Sequence, residues 1–203
     1  MVELVVMIIR HAEKPLTPEP PHGVSIDGLA DPDSLTPRGW QRAGALVGLL
    51  SGERRGVLRT PTHLFASRVV PGSGSRRSFE TLQPLSERLG LSIDTRFAKT
   101  ELAELAAAIA ATGGVVLVAW EHHLIPSLAN ILVGDTSTAP QVWPDDCFDM
   151  VWVIEPGAGD AAATFRQVPE LLLAGDRSSA IGSRSRRTQG PRSRTGEPAS
   201  TGE

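Results

Sequence analysis

Polar side chains follow three strand-like segments, and their types could act together on an anion. Each set comes directly after an apolar or β-branched run: Arg10 and His11 after residues 4–9, Ser67 and Arg68 after 63–66, and Glu121, His122 and His123 after 115–120. Ligands of open α/β sheets bind beyond the carboxyl ends of the strands. We therefore expect these side chains to meet at one edge of a sheet.

The residue types at this edge suit phosphoryl chemistry. The planar guanidinium of arginine matches phosphate oxygens through paired hydrogen bonds. A neutral imidazole can attack phosphorus and carry the phosphoryl group as a covalent intermediate. Nearby arginines keep that imidazole neutral, because they disfavour its protonated form. A carboxylic acid would then protonate the departing oxygen.

Four motifs, taken in chain order, make this interpretation more specific. They are Arg10-His11-Ala12-Glu13, Leu35-Thr36-x-x-Gly39-x-Gln41-x-Ala43, Arg77-Ser78-Phe79-Glu80-Thr81, and Trp120-Glu121-His122-His123-Leu124-Ile125-Pro126. Together they resemble the motifs of the histidine phosphatase superfamily, the phosphoglycerate-mutase-like proteins. Any one of them alone is weak, but four in the family's order over about residues 4–155 are specific.

The resemblance implies roles for three residues. His11 is similar to the nucleophile that becomes phosphohistidine, and Arg10 to the neighbour that binds phosphate. His122 is similar to the second histidine, which contacts the phosphoryl group. His122 is preferred to His123 because Ile125 then falls three residues after it, as in the family branch with Trp-x-His-x-x-Ile-Pro.

The second phosphate-binding arginine is assigned by counting along the chain. Counting back from Glu80-Thr81 selects Arg77, at the start of a predicted helix, where backbone N–H groups also favour anions. Counting forward from Ser67 reaches Pro71 where the family has arginine, so this chain carries an insertion. The alternatives are Arg76 and Arg68.

The general acid is assigned by the resemblance to a glutamate after the second arginine helix. Glu101, at the opening of the next predicted helix, is the expected residue, and Glu104 and Glu13 are alternatives. Other family members place an aspartate directly after the second histidine. His123 occupies that position here, which disfavours the acid-phosphatase branch.

No metal and no organic cofactor are expected. His122 and His123 are not expected to bind a metal as a pair, because adjacent residues on a turn point apart and no further ligands accompany them. Fixed arginines and histidines can stabilise the charge that Mg²⁺ stabilises in other phosphoryl-transfer enzymes.

The segments that position these residues alternate between strand-like and helix-like patterns. We expect strands at 4–9, 63–66, 91–93, 115–120, 150–154 and 162–165, and helices at 36–50, 77–89, 100–111 and 126–133. This alternation predicts an α/β three-layer sandwich, with a largely parallel central sheet flanked by helices. The long loop 14–35 and the stretch 143–148 are expected to form walls of the pocket.

Composition limits the remaining properties. The 203 residues predict one catalytic domain, 1–176, and a basic Ser/Arg/Gly/Pro tail, 177–203, that cannot bury enough surface to be ordered. The net charge is −3 although the tail is basic, so residues 1–176 are acidic overall and no nucleic-acid partner is expected. One cysteine and no membrane-length apolar run favour a reducing, cytoplasmic location.

The expected function is hydrolysis of a phosphomonoester through phosphohistidine on His11, without a metal. The expected partner is a small phosphorylated substrate, and the sequence gives no oligomeric state. A phosphoglycerate-mutase-like phosphotransferase is the first alternative. A catalytically idle protein that binds phospho-ligands is the second.

Overall fold

The computed structural model describes residues 4–52, 56–69, 75–157 and 162–182. The sequence Val-Pro-Gly-Ser-Gly-Ser at 70–75 predicts a turn, and of these residues only Ser75 lies within the described ranges. The glycine-rich stretch 72–74 and the tail beyond residue 182 also lie outside them.

A six-stranded sheet forms the centre of the described structure. Its strands are β1 (Val5–Arg10), β2 (His63–Ala66), β3 (Ile93–Asp94), β4 (Val115–Trp120), β5 (Met150–Glu155) and β6 (Thr164–Pro169). They lie in the order β3-β2-β4-β1-β5-β6. The pairs β1–β4, β2–β4 and β2–β3 are parallel, and β5 is antiparallel to both β1 and β6. Five strands therefore run in one direction, which confirms the predicted largely parallel sheet.

Four helices cover the two faces of this sheet. They are α1 (Pro37–Leu50), α2 (Arg77–Leu89), α3 (Leu102–Thr112) and α4 (Ile125–Val133). Val5, Met7 and Ile9 of β1 are buried against α1 and α2. Val6 and Ile8 point to the other face, against α3 and α4. Both faces of β1 are thus apolar, as a strand between two helical layers requires, and the three-layer sandwich is confirmed.

Element boundaries differ from the sequence prediction at two strands. The strand expected at 91–93 is the two-residue β3, Ile93–Asp94, because only those residues pair with β2. The last strand, expected at 162–165, is β6 at Thr164–Pro169. Its polar residues 166 and 167 hide it in the sequence, but an edge strand need bury only part of its surface. None of the described helices is long and apolar enough to cross a membrane.

The described part of the predicted tail packs against the sheet. Ile181 belongs to the core cluster between β5 and α3, and only 6% of its surface is exposed. Its N–H donates to Gln167 Oε1 at 2.8 Å, and its carbonyl accepts from Gln167 Nε2 at 3.2 Å. The domain boundary at residue 176 and the disorder of 183–203 stay predictions.

Candidate active site

The carboxyl ends of β1 and β4 lie side by side and bring two of the predicted site residues together. Arg10 and Trp120 are paired in register as the last residues of their strands. The N–H of His11 then donates to the Trp120 carbonyl at 3.1 Å, so the pairing continues past the strands. His122 follows two residues later, and its ring lies beside the same edge as Arg10 in a common cavity.

Hydrogen bonds from α2 fix the loop that carries His11. The N–H of Ala12 donates to Thr81 Oγ1 at 2.8 Å, and that hydroxyl donates to the Arg77 carbonyl at 2.7 Å. The neighbouring Glu80 carboxylate accepts from the backbone N–H of Leu35 at 2.9 Å. The Glu-Thr pair of the third motif therefore fixes the backbone beside His11 and the segment that contains Leu35.

The start of α1 explains the second motif. Thr36 is the N-cap, and its Oγ1 accepts from the N–H of Gly39 at 3.2 Å. The N–H of Thr36 donates to the carbonyl of Glu13 at 2.9 Å. A Cβ atom on Gly39 would lie 2.5 Å from that same carbonyl oxygen. Glycine is thus required here, because α1 approaches the backbone of Glu13 so closely.

His11 is held in the form that can attack phosphorus. Its side chain is buried, and Nδ1 lies 2.8 Å from the Ala12 carbonyl oxygen. Since a carbonyl can only accept, Nδ1 carries the proton and Nε2 presents its lone pair. Burial is the main cause that lowers the pKa of His11 to about 3; the charges of Arg10, Arg77 and Lys14 act in the same direction, and the hydrogen bond to Ala12 opposes them. The imidazole is therefore neutral at physiological pH.

Arg10 is buried beneath the loop 144–147. Its Nη1 donates to the carbonyls of Asp145 at 2.6 Å and Cys147 at 3.2 Å. Its guanidinium lies 3.8 Å from the centre of the Phe148 ring, which is a cation–π contact. Burial lowers the pKa of Arg10 to about 10, so it stays charged. Arg10 thus shapes the pocket wall as well as carrying charge to it.

His122, His123 and Asp145 form a cluster that the sequence did not predict. His122 Nε2 lies 2.7 Å from Asp145 Oδ1, and His123 Nε2 lies 4.0 Å from the same oxygen. The two rings are 3.8 Å apart between centroids. The expectation that these histidines point apart with no further ligand beside them was therefore wrong, because the turn after β4 brings the two rings together and Asp145 lies beside both. Their ligand atoms lie within 4.8 Å of one another and could hold a metal ion, but Arg10 and Lys14 line the same cavity and oppose a cation.

Three buried polar atoms at this edge have no hydrogen-bond partner within the described ranges. They are Arg10 Nε, Ser67 Oγ and His122 Nδ1, at the carboxyl ends of β1, β2 and β4 respectively. Leaving a buried polar group unsatisfied costs about 1–3 kcal/mol, so such atoms call for an explanation. A ligand with several acceptor oxygens would supply partners for all three.

The three candidates for the second arginine have different surroundings. Arg77 is half-buried, donates to the carbonyls of Ser34 and Pro32, and is one of the cations that lower the pKa of His11. Arg76 is instead paired with Asp31 and lies 4.0 Å from Glu80. Arg68 is largely exposed and lies 3.5 Å from Glu101. Arg77 has the environment closest to the one expected of a phosphate ligand.

The three candidate acids are all placed, and within the described residues none of them is hydrogen-bonded to His122, whose partner is Asp145. Glu101 occupies the N-cap position of α3 without a side-chain capping bond, accepts from the N–H of Ala98 at 2.8 Å and pairs with Arg68. Glu104 is exposed in the first turn of α3. Glu13 is bound by the buried guanidinium of Arg42 at 2.9 Å, so its carboxylate already has a cation.

Two adjoining cavities open beside the segment that follows His11. One, of about 190 Å³, is lined by Arg10, Lys14 and the His122–His123–Asp145 cluster. The other, of about 350 Å³, shares Lys14 and Leu16 with it and is floored by Phe148. A larger cavity of about 470 Å³ lies at the other side of β2, around Thr62 and Leu91, and contains none of the predicted site residues.

Sequence reasoning missed Lys14, Asp145 and Phe148 as individual site residues. Lys14 directly follows the first motif, so its position was a usable signal. Asp145 and Phe148 lie in the stretch predicted only as a pocket wall, since nothing in their spacing ties them to β1. Arg10 brings them there through its bonds to that stretch.

Comparison with solved structures gives the fold. Mycobacterial glucosyl-3-phosphoglycerate phosphatase, solved with VO3, is 16% identical, with 80% of this chain and 97% of that chain covered and a TM-score of 0.52. The alpha-ribazole phosphatase of Shigella flexneri is 13% identical, with 80% and 95% covered and a TM-score of 0.51. No protein-family model and no curated protein matches the sequence. The chain therefore shares the α/β fold of these two phosphatases, as the sequence predicts.

Proposed function

We propose that this protein hydrolyses a small phosphomonoester through a phosphohistidine intermediate on His11, without a metal ion. The observation that carries the proposal is the set of unpartnered atoms Arg10 Nε, Ser67 Oγ and His122 Nδ1 around a neutral, buried His11. Phosphate oxygens would satisfy these atoms. Two phosphatases share the fold, which supports phosphatase chemistry in general.

In the first step, His11 Nε2 attacks phosphorus while the bond from phosphorus to the alcohol oxygen breaks. Arg10 and Arg77 hold the phosphoryl oxygens and stabilise their charge, because they are fixed before the substrate arrives. Lys14 adds a third positive charge near His11.

His122 takes part through a change in protonation. Its Nε2 donates to Asp145, so Nδ1 can donate to phosphate only when the ring is protonated. Burial lowers the pKa of His122 in the free protein, while the bond to Asp145 opposes the shift. A bound phosphate dianion would favour the imidazolium. His122 therefore gains its proton as the substrate binds.

In the second step, water attacks the phosphohistidine and releases inorganic phosphate. A carboxylic acid protonates the departing alcohol in the first step, and its carboxylate accepts a proton from water in the second. The family resemblance assigns this role to Glu101.

Hydrolysis of p-nitrophenyl phosphate in the presence of EDTA tests the proposal. Wild type, His11→Ala and His63→Ala are compared, with His63 as the control because it is an exposed histidine at the start of β2. We expect EDTA-resistant turnover in wild type and His63→Ala and loss of turnover in His11→Ala. Turnover that survives in His11→Ala would overturn the nucleophile, and turnover lost to EDTA would overturn metal independence.

A further inference from the structure

We propose that Glu121, rather than Glu101, is the general acid and base of this site. The inference rests on the proposed function, since it concerns the proton that the departing alcohol needs. It assigns a catalytic role to a residue that the sequence analysis noted only as a neighbour of His122.

Strand register places Glu121 beside the nucleophile. Arg10 and Trp120 are paired, and the N–H of His11 bonds to the Trp120 carbonyl. The residues that follow these two strands are therefore His11 and Glu121. Adjacent strands lie about 4.8 Å apart, so a glutamate at this position can reach a group bound on His11.

The charges of the site agree with this placement. Burial lowers the pKa of both Lys14 and Arg77, and the negative charge of Glu121 opposes that shift at each of them. Lys14 and Arg77 are also among the cations that lower the pKa of His11. The Glu121 carboxylate thus lies within electrostatic range of the same two cations as the nucleophile.

Three other carboxylates, those of Asp145, Glu13 and Glu101, are held in hydrogen bonds or ion pairs. Asp145 accepts from His122, and that bond holds the pKa of Asp145 below its usual range, so it is a poor proton donor. Glu13 is bound by Arg42. Both carboxylate oxygens of Glu101 accept hydrogen bonds, one from the N–H of Ala98 at 2.8 Å and the other from Arg68 at 3.5 Å.

The surroundings of Glu121 leave its carboxylate free to give and take a proton. Within the described residues its carboxylate accepts no hydrogen bond, and its ion-pair partner is Lys99 at 3.4 Å. About 31% of its side chain is exposed, so protons can exchange with solvent. Its backbone carbonyl accepts from Leu124 and Ile125, which fixes the turn that carries it.

The proposed steps balance as follows. The protonated Glu121 carboxyl gives its proton to the bridging oxygen as the P–O bond breaks and the bond from phosphorus to His11 Nε2 forms. The alcohol departs neutral, and Glu121 is left as a carboxylate. That carboxylate takes a proton from the attacking water as the new P–O bond forms and the P–N bond breaks. Both residues return to their starting states.

Two substrates with different leaving groups test the proposal. Nitrophenolate departs without a proton, whereas an alkyl alkoxide needs one, so loss of a general acid should be selective. We expect Glu121→Gln to lower kcat/KM for an alkyl phosphate by about 10²- to 10⁴-fold, and for p-nitrophenyl phosphate by much less. Glu87→Gln, at an exposed position of α2, is the matched control and should change the ratio between the substrates little. Glu101→Gln tests the rival assignment in the same assay.

A second readout follows from the base role. Glu121→Gln should show a burst of nitrophenol and accumulate phosphoenzyme, because attack of water on the intermediate is slowed. Glu121→Asp, which keeps a carboxyl group, should recover part of the alkyl phosphate activity. Urea midpoints of both variants show whether they fold as wild type does.

Contrary outcomes are distinct for the two levels of the account. Equal losses on both substrates, or selective loss in Glu101→Gln instead, would overturn the role of Glu121. Turnover that persists in His11→Ala would overturn the proposed function itself, whatever the result for Glu121.

Discussion

Replacing Arg42 with methionine should destabilise the protein strongly, because this arginine holds three acidic side chains together. Only 2% of the Arg42 side chain is exposed. Its guanidinium binds Glu13 at 2.9 Å, Glu170 at 2.8 Å and Asp176 at 2.7 Å. The cluster joins the segment that carries His11 and Glu13 to the segment that follows β6. Arg42→Met keeps much of the length and apolar volume but removes the charge.

The magnitude follows from the burial of the acids. Side-chain exposure is 12% for Glu13, 1% for Glu170 and 3% for Asp176. Removing one partner of a buried ion pair costs about 3–5 kcal/mol. Typical domains have only about 5–15 kcal/mol of unfolding free energy. We therefore expect Arg42→Met to lose a large part of its stability and to lower the midpoint in urea.

Arg38 provides a matched control. It lies 3.2 Å from Glu13 and 3.7 Å from Asp176, but 45% of its side chain is exposed. Exposed ion pairs are worth about 0–1 kcal/mol, so Arg38→Met should shift the urea midpoint little. Similar shifts in both variants would refute the argument that burial of the acids sets the cost.

The dependence on pH gives a further check of the same prediction. Burial opposes ionisation of Asp176, yet the Arg42 and backbone hydrogen bonds lower its pKa to about 2, below the usual 3.8. A depressed acid pKa stabilises the fold above the unfolded pKa, and this stabilisation is lost as the pH falls through the folded value. The gap in unfolding free energy between wild type and Arg42→Met should narrow from pH 5 toward pH 2. A constant gap would contradict it.

Three further predictions concern the site. Gly39→Ala should destabilise the folded protein, because the new Cβ would lie 2.5 Å from a carbonyl oxygen. Gly44→Ala, in the same helix, has no atom within 4 Å of its Cβ and should stabilise the protein by about 0.5–1 kcal/mol. Urea unfolding of the two variants compares these effects. Arg77→Gln should lower kcat by about 10²- to 10³-fold if Arg77 holds the phosphoryl group, and Arg76→Gln, whose arginine is paired with carboxylates, should lower it much less in steady-state assays. Burial lowers the pKa of His11 to about 3 in the folded protein, so below the ordinary pKa of 6.5 the unfolded chain binds a proton that the folded protein does not. The unfolding free energy of wild type should therefore fall between pH 6.5 and 3. Urea melts across this range should show a smaller fall for His11→Asn.

Long buried strands and capped helices could be predicted from sequence because their signals are local. The segments β2, β4 and α2 lie where apolar runs, a C-terminal glycine and the helix pattern placed them. The short β3 and the edge strand β6 could not, because pairing with a neighbour defines them and their own residues are polar or few.

The site divides in the same way. His11, Arg10 and His122 could be predicted as a group, because parallel strands end at a common edge. The roles of Asp145 and Phe148 could not, since they depend on how Arg10 draws the 144–148 loop onto β1. The placement of Glu121 needed the register between β1 and β4, which no single segment encodes.

Transfer of phosphate to His11 tests the central claim most directly. Wild type is mixed with ³²P-labelled p-nitrophenyl phosphate in EDTA, quenched rapidly at alkaline pH and mapped by peptide, with His11→Ala treated in parallel. The account predicts a transient label on the peptide that contains His11, stable to base and released by acid, and none in the variant. Label on another residue, or hydrolysis by wild type with no label on His11 at any time, would contradict it.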